Sequence, residues 1–168
     1  MTESKNKKQR QRSKNSCTFE GQDYPLVEDG LYEAAYAYYE TSRNFSGKHT
    51  DPKKARGGKL YLWFILDPYN NKQRANTEPI LAFFSINCKS VDVPCGRSGS
   101  FHVGRRSRWG RLCNKFKQQH QLLTKGCPNE LTGKLLIVRT RTVTSDMKQR
   151  THESHEKYSV IDDIIELA

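Results

Sequence analysis

Five short runs of aromatic and branched side chains, with one helix-patterned stretch between the third and the fourth, limit what this chain can fold into more than any other feature. Leu31 to Thr41 is rich in tyrosine and alternates small with large residues, Lys59 to Asp67 reads KLYLWFILD, and Pro79 to Asn87 reads PILAFFSIN. Side chains of this kind suit the pleated, half-buried surface of a strand. Turn formers bracket the second run, with Gly57 and Gly58 before it and Asp67, Pro68, Asn70 and Asn71 after it. After a turn at Thr132 and Gly133, Lys134 to Thr144 (KLLIVRTRTVT) supplies a fourth strand. Tyr158 to Leu167 (YSVIDDIIEL) supplies a fifth, although its pattern also fits a short helix.

The stretch between the third and fourth runs has a different period. Trp109, Leu112, Cys113, Phe116, His120 and Leu123 recur at steps of mostly three or four, which lines one stripe of a helix. Ser107 is a suitable N-cap, and Lys125, Gly126 and Pro128 follow as stop signals, so the helix is expected from Ser107 to Lys125.

A chain of 168 residues suits one domain with a tail. Residues Met1 to about Ser16 hold Lys5, Lys7, Lys8, Arg10, Arg12 and Lys14 against Glu3, with no apolar residue after Met1. Such a segment cannot bury enough surface to offset the entropy of ordering, so residues 1–16 read as a disordered basic arm and residues 17–168 as the folded domain. The formal charge of +11 is shared between arm and body, which favours polyanionic partners, nucleic acid first among them. No run approaches the roughly 18 apolar residues of a membrane span, and the N-terminus lacks the apolar segment of a secretory signal. Cys17, Cys88, Cys95, Cys113 and Cys127 are odd in number and lack a CxxC pair, as expected of packing residues in a reducing compartment. A cytoplasmic protein is therefore expected.

Three strands, a helix and two strands is the connectivity of the five-stranded oligonucleotide/oligosaccharide-binding (OB) barrel, so the expected fold is mainly β, an OB-like β-β-β-α-β-β barrel. Ligands of that barrel lie across strands 2 and 3 and the loops joining strands 1 to 2 and 4 to 5. In this chain the first of those loops holds Arg43, Lys48, Lys53, Lys54 and Arg56 against Asp51 alone, an arrangement suited to tracking phosphates. In the second strand Leu60, Leu62, Phe64 and Leu66 share one face while Tyr61, Trp63 and Ile65 share the other. Should the leucine face fill the core, Tyr61 and Trp63 form a platform for stacking bases; with the opposite parity they are core residues. Arg139 and Arg141 lie on one face of the fourth strand, as a cationic wall or as ordinary alternation toward water. Arg105 and Arg106, then Arg108, Arg111 and Lys115, make a further cluster, read as a second phosphate track or as the wet side of the helix.

The stretches GLYEAAYAYYETSRNF, GKLYLWFILDP, GKLLIVRTRTV and YSVIDDIIEL resemble a group of uncharacterised bacterial proteins of mobile elements, and more loosely the single-stranded-DNA-binding proteins of phage recombination modules. They cover a little over a quarter of the chain. The resemblance implies an OB-like barrel and a setting in replication, recombination or element maintenance. It assigns no site residues. The chain departs from housekeeping single-strand binders in having no long acidic C-terminal tip.

Rival readings rest on fewer residues. His152, Glu153, His155, Glu156, Asp162 and Asp163 form the one dense patch suited to hydrolysis, but HExxH, a P-loop and a glycine-flanked nucleophile are lacking. Zinc would have to use Cys88, Cys95, Cys113, Cys127 or His102, whose spacings lack the close pairs of zinc sites. No enzyme activity, cofactor or metal is therefore expected. The other alternative is a protein-interaction or regulatory module docking on a host or element-encoded protein. The leading expectation is a binder of single-stranded nucleic acid, DNA ahead of RNA, with low sequence specificity, no membrane partner, and an oligomeric state left open to self-association.

Overall fold

The computed structural model describes residues 26–43, 57–68, 79–145, 149–152 and 156–168. The N-terminal arm, Lys48, Lys53, Lys54 and Arg56 of the first long loop, and Glu153 and His155 lie outside the described residues. Strands β1 (Leu31–Arg43), β2 (Gly58–Leu66) and β3 (Leu81–Cys88) are followed by the two-residue strands β4 (Ser90–Val91), β5 (Gly96–Arg97) and β6 (Phe101–His102). Helix α1 (Arg108–His120), a 3₁₀ turn (Pro128–Leu131), β7 (Leu135–Val143) and β8 (Tyr158–Leu167) complete the order. The long strands form one antiparallel sheet in the order β3-β2-β1-β7-β8, β5 pairs with β1, and β4 and β6 pair with each other.

Period-two alternation decides which face of the sheet is core. Leu60, Leu62, Phe64 and Leu66 of β2, Ala82, Phe84 and Ile86 of β3, Leu136 and Val138 of β7, and Ile161 and Ile164 of β8 are all buried in one cluster. Helix α1 adds Trp109, Leu112 and Phe116. Strand β1 departs from simple alternation: Tyr36 pairs with Phe64 but Tyr38 pairs with Trp63, so Ala37 is an extra residue in a β-bulge. Ala34 and Tyr36 point inward before the bulge, Tyr39 and Thr41 after it, and Tyr38 is thereby turned outward. The Tyr36 hydroxyl donates to Asn129 Oδ1 at 2.9 Å, and burial holds its proton well above the usual phenol range.

Two expectations need correction. The sheet is not closed into a barrel: its ladder ends at β3 and β8, which lie near each other without backbone pairing, the Phe83 and Tyr158 rings 6.4 Å apart. Helix α1 spans that seam. The Arg108 guanidinium lies 4.3 Å from the Phe84 ring centroid and donates to the Asp162 carbonyl, while the Lys115 ammonium donates to the Ile165 carbonyl. Asp162 and Ile165 are the residues left over at the two register shifts of β8 against β7, and their carbonyls are taken by helix cations, so Arg108 and Lys115 tie the helix to β8.

The helix is also shorter than its apolar stripe. Ser107 caps it, accepting from the Gly110 N–H at 3.0 Å, but it stops at His120, where Gln121 turns left-handed at φ 51°. Leu123, again at positive φ, reaches the core from the following turn rather than from the helix, and His120 is exposed. Glu130 holds that turn by accepting N–H bonds from Thr124, Lys125 and Cys127 at 3.0, 3.1 and 3.2 Å. Among the described residues no helix is long and apolar enough to cross a membrane, and no three His, Cys, Asp or Glu side chains gather as a metal site.

Candidate nucleic-acid interface

The face opposite the core carries a continuous ribbon of rings. Tyr38 of β1 stacks on Trp63 of β2 with centroids 6.0 Å apart and planes at 27°. Trp63 meets Phe83 of β3 at 5.2 Å, Tyr61 meets the same ring edge-on at 5.5 Å, and Phe83 stacks on Tyr158 of β8 across the seam. The His152 ring follows, 6.3 Å from Tyr158. Four strands thus contribute to one aromatic track, which their parity and the Ala37 bulge bring to a single face.

Exposure divides the track into floor and surface. Trp63 is only 8% exposed, and its indole N–H donates to Glu40 Oε1 at 2.9 Å. It is a floor held in place by a carboxylate, not an open stacking surface, which corrects half of the Tyr61 and Trp63 platform. Tyr38, Tyr61, Phe83 and Tyr158 are half-buried and keep part of their rings in solvent. These rings lie outside the core and are partly wet, so each keeps some π surface open to contact.

Cations flank the track. The Arg97 guanidinium of β5 lies 3.9 Å from the Tyr38 ring centroid, a cation–π contact that fixes one charge at one end. Lys59 shares the outer face of β2 with Tyr61. Near the other end, Arg141 stands opposite Val160, two residues from Tyr158. Arg139 and Arg141 are exposed as the alternation of β7 requires, but their surroundings are mixed. Arg141 pairs with Asp162 at 3.2 Å, so part of its charge is already met, and Arg139 stands opposite Asp163 in the ladder. Arg43 ends β1 with its Nε donating to the Val91 carbonyl at 3.0 Å, which ties it to the β4 segment. Arg105 and Arg106 are exposed in the turn before α1, away from the ring track.

Sequence reasoning missed Tyr38, Phe83, Tyr158 and Arg97. The outward parity of Phe83 was available from the alternation of PILAFFSIN, whose Ala82, Phe84 and Ile86 face the core. The others had no local signal. Compared with known proteins, the chain matches no family model, no curated protein and no solved structure.

Proposed function

We propose that the outer face of the sheet binds single-stranded nucleic acid, DNA ahead of RNA, with little sequence preference. The observation that carries this reading is the ring track across β1, β2, β3 and β8 with Arg97 stacked on its end. Every base has a flat π-face, so aromatic stacking accepts any sequence, at about 1 to 3 kcal/mol per base. A duplex has its faces already stacked and gains nothing from such a track. The net charge of +11 supplies the long-range attraction, and Arg97, Lys59, Arg139 and Arg141 the local phosphate contacts.

Strand order supports a related reading of the fold, as an opened OB-like barrel. β1 lies between β2 and β7, the helix falls between β3 and β7, and the two outermost strands meet at a seam. A role in replication, recombination or upkeep of a mobile element goes with this proposal.

The test is fluorescence anisotropy with labelled oligo-dT, oligo-U and a duplex of equal length, titrated with salt. Stacking predicts binding of the single strands and at least tenfold weaker affinity for the duplex at about 150 mM salt. Equal affinity for duplex and single strand would refute it.

A further inference from the structure

A second groove lies on the helix side of the molecule. Two adjoining hollows, of about 630 and 710 Å³, meet at His102, Val103, Gly104 and Arg105 and together make an open trough along the β6 segment, walled by α1 in the first and by the end of β3 in the second. Lys89, Arg105 and Arg106 line one end, and Lys117 and Lys125 the other, all exposed. No Asp or Glu is among the lining residues. Glu130, close by in sequence, spends its carboxylate on backbone N–H groups of residues 124, 125 and 127. Among the described residues, none of the five cations is in an ion pair.

Cations strung along an open trough match an extended polyanion better than a compact anion, which would call for a closed pocket with convergent donors. One short stretch of chain links the trough to the ring track. Arg97 covers Tyr38 at the end of the track, and the chain then passes through Ser98 to Gly99, Ser100 and Phe101, which line the trough. Tyr39, the inward neighbour of Tyr38, packs edge-on against Phe101 at 5.8 Å and lines the trough as well. One short segment therefore has the rings on one side and the trough on the other.

We infer that this trough receives the phosphodiester chain as it leaves the ring track past Arg97, giving the protein a second, purely electrostatic segment of its binding site. The inference rests on the single-strand reading of the ring track. Bases are held on the rings; in the trough only the backbone is held, with no ring required.

Oligonucleotide length separates the two segments. Labelled dT6 is near the lower end of the roughly 4 to 16 nucleotides that one small barrel covers, and dT20 exceeds it. The full-length protein and an Arg105→Ala, Lys117→Ala double variant are titrated with both oligonucleotides over a range of salt, with Phe83→Ala in parallel. The inference expects the double variant to bind dT6 within about twofold of the parent. Its dT20 affinity should fall tenfold or more, with a salt slope shallower by about 1.4, two phosphates at roughly 0.7 each on a single strand. Phe83→Ala should weaken both lengths. A double variant that behaves like the parent on dT20, or loses equally on dT6, overturns the trough while leaving the ring track standing. A parent that binds neither length overturns both. Binding of poly-glutamate as tight as dT20 and equally dependent on Arg105 and Lys117 would reassign the trough to an acidic protein and overturn the inference.

Discussion

Replacing Phe83 with alanine removes the ring on which the track turns from β2 to β8. Phe83 touches Trp63 at 5.2 Å, Tyr61 at 5.5 Å and Tyr158 at 6.4 Å, yet faces away from the core that Ala82, Phe84 and Ile86 complete. Its loss deletes one stacking surface and separates Tyr158 from the other rings. At about 1 to 3 kcal/mol for a stacked base, the dissociation constant for oligo-dT should rise roughly 5- to 150-fold. No phosphate contact is lost, so the slope of log K against log salt should stay as it was. Arg97→Ala is the counterpart: it should flatten that slope by about 0.7 and weaken binding less at high salt than at low. Anisotropy at four or five salt concentrations measures both quantities, and thermal unfolding verifies that the variants are folded. The reasoning fails if Phe83→Ala binds within twofold of the parent, or if the two variants change the slope equally.

Three further outcomes are expected. Glu40→Gln keeps an oxygen acceptor for the Trp63 indole N–H while deleting a carboxylate tied to the track, so oligo-dT affinity should rise roughly two- to fivefold in anisotropy titrations, the range of one exposed charge interaction. Gly110→Ala should lower the melting temperature by several degrees, because a Cβ there would sit 2.4 Å from the Arg105 carbonyl oxygen and 2.7 Å from that of Gly104. Overpacking of about 1 to 3 kcal/mol outweighs the helix propensity of alanine, and a stabilised variant would contradict the close approach. Burial pushes the Cys88 and Cys113 thiols up to about 11. Ionisation in the unfolded chain begins near 9, so the protonated thiols stabilise the fold below that value and their contribution is lost as pH rises from 9 to 11; chemical denaturation across this range should show the decline, absent in a Cys88→Ser, Cys113→Ser variant.

Much of the framework was legible because burial follows local period. The leucine and phenylalanine parity of β2, the Ser107 cap and the stripe of Trp109, Leu112 and Phe116 are written in spacing alone. What escaped was set by tertiary geometry. The bulge at Ala37 has no glycine or proline to announce it, yet it decides which tyrosines of β1 are core and which are surface. The helix end is set by a left-handed Gln121 and by Leu123 dropping into the core, where Gly126 had seemed the natural stop. Strands β4, β5 and β6 are two residues each, too short to carry any period, although β5 brings Arg97 to Tyr38. Phe83 and Tyr158 meet only because the two margins of the sheet curl toward each other, something no single stretch records.

The seam under α1 has a consequence for how the protein keeps to itself. A bare strand margin is a template onto which another chain can zip, and proteins commonly guard such margins with charge. Here the charge comes from the helix, whose Arg108 and Lys115 cover carbonyls of the outermost strand β8. Stripping both side chains would bare those carbonyls, and the expected result is a greater tendency of the protein to associate at high concentration.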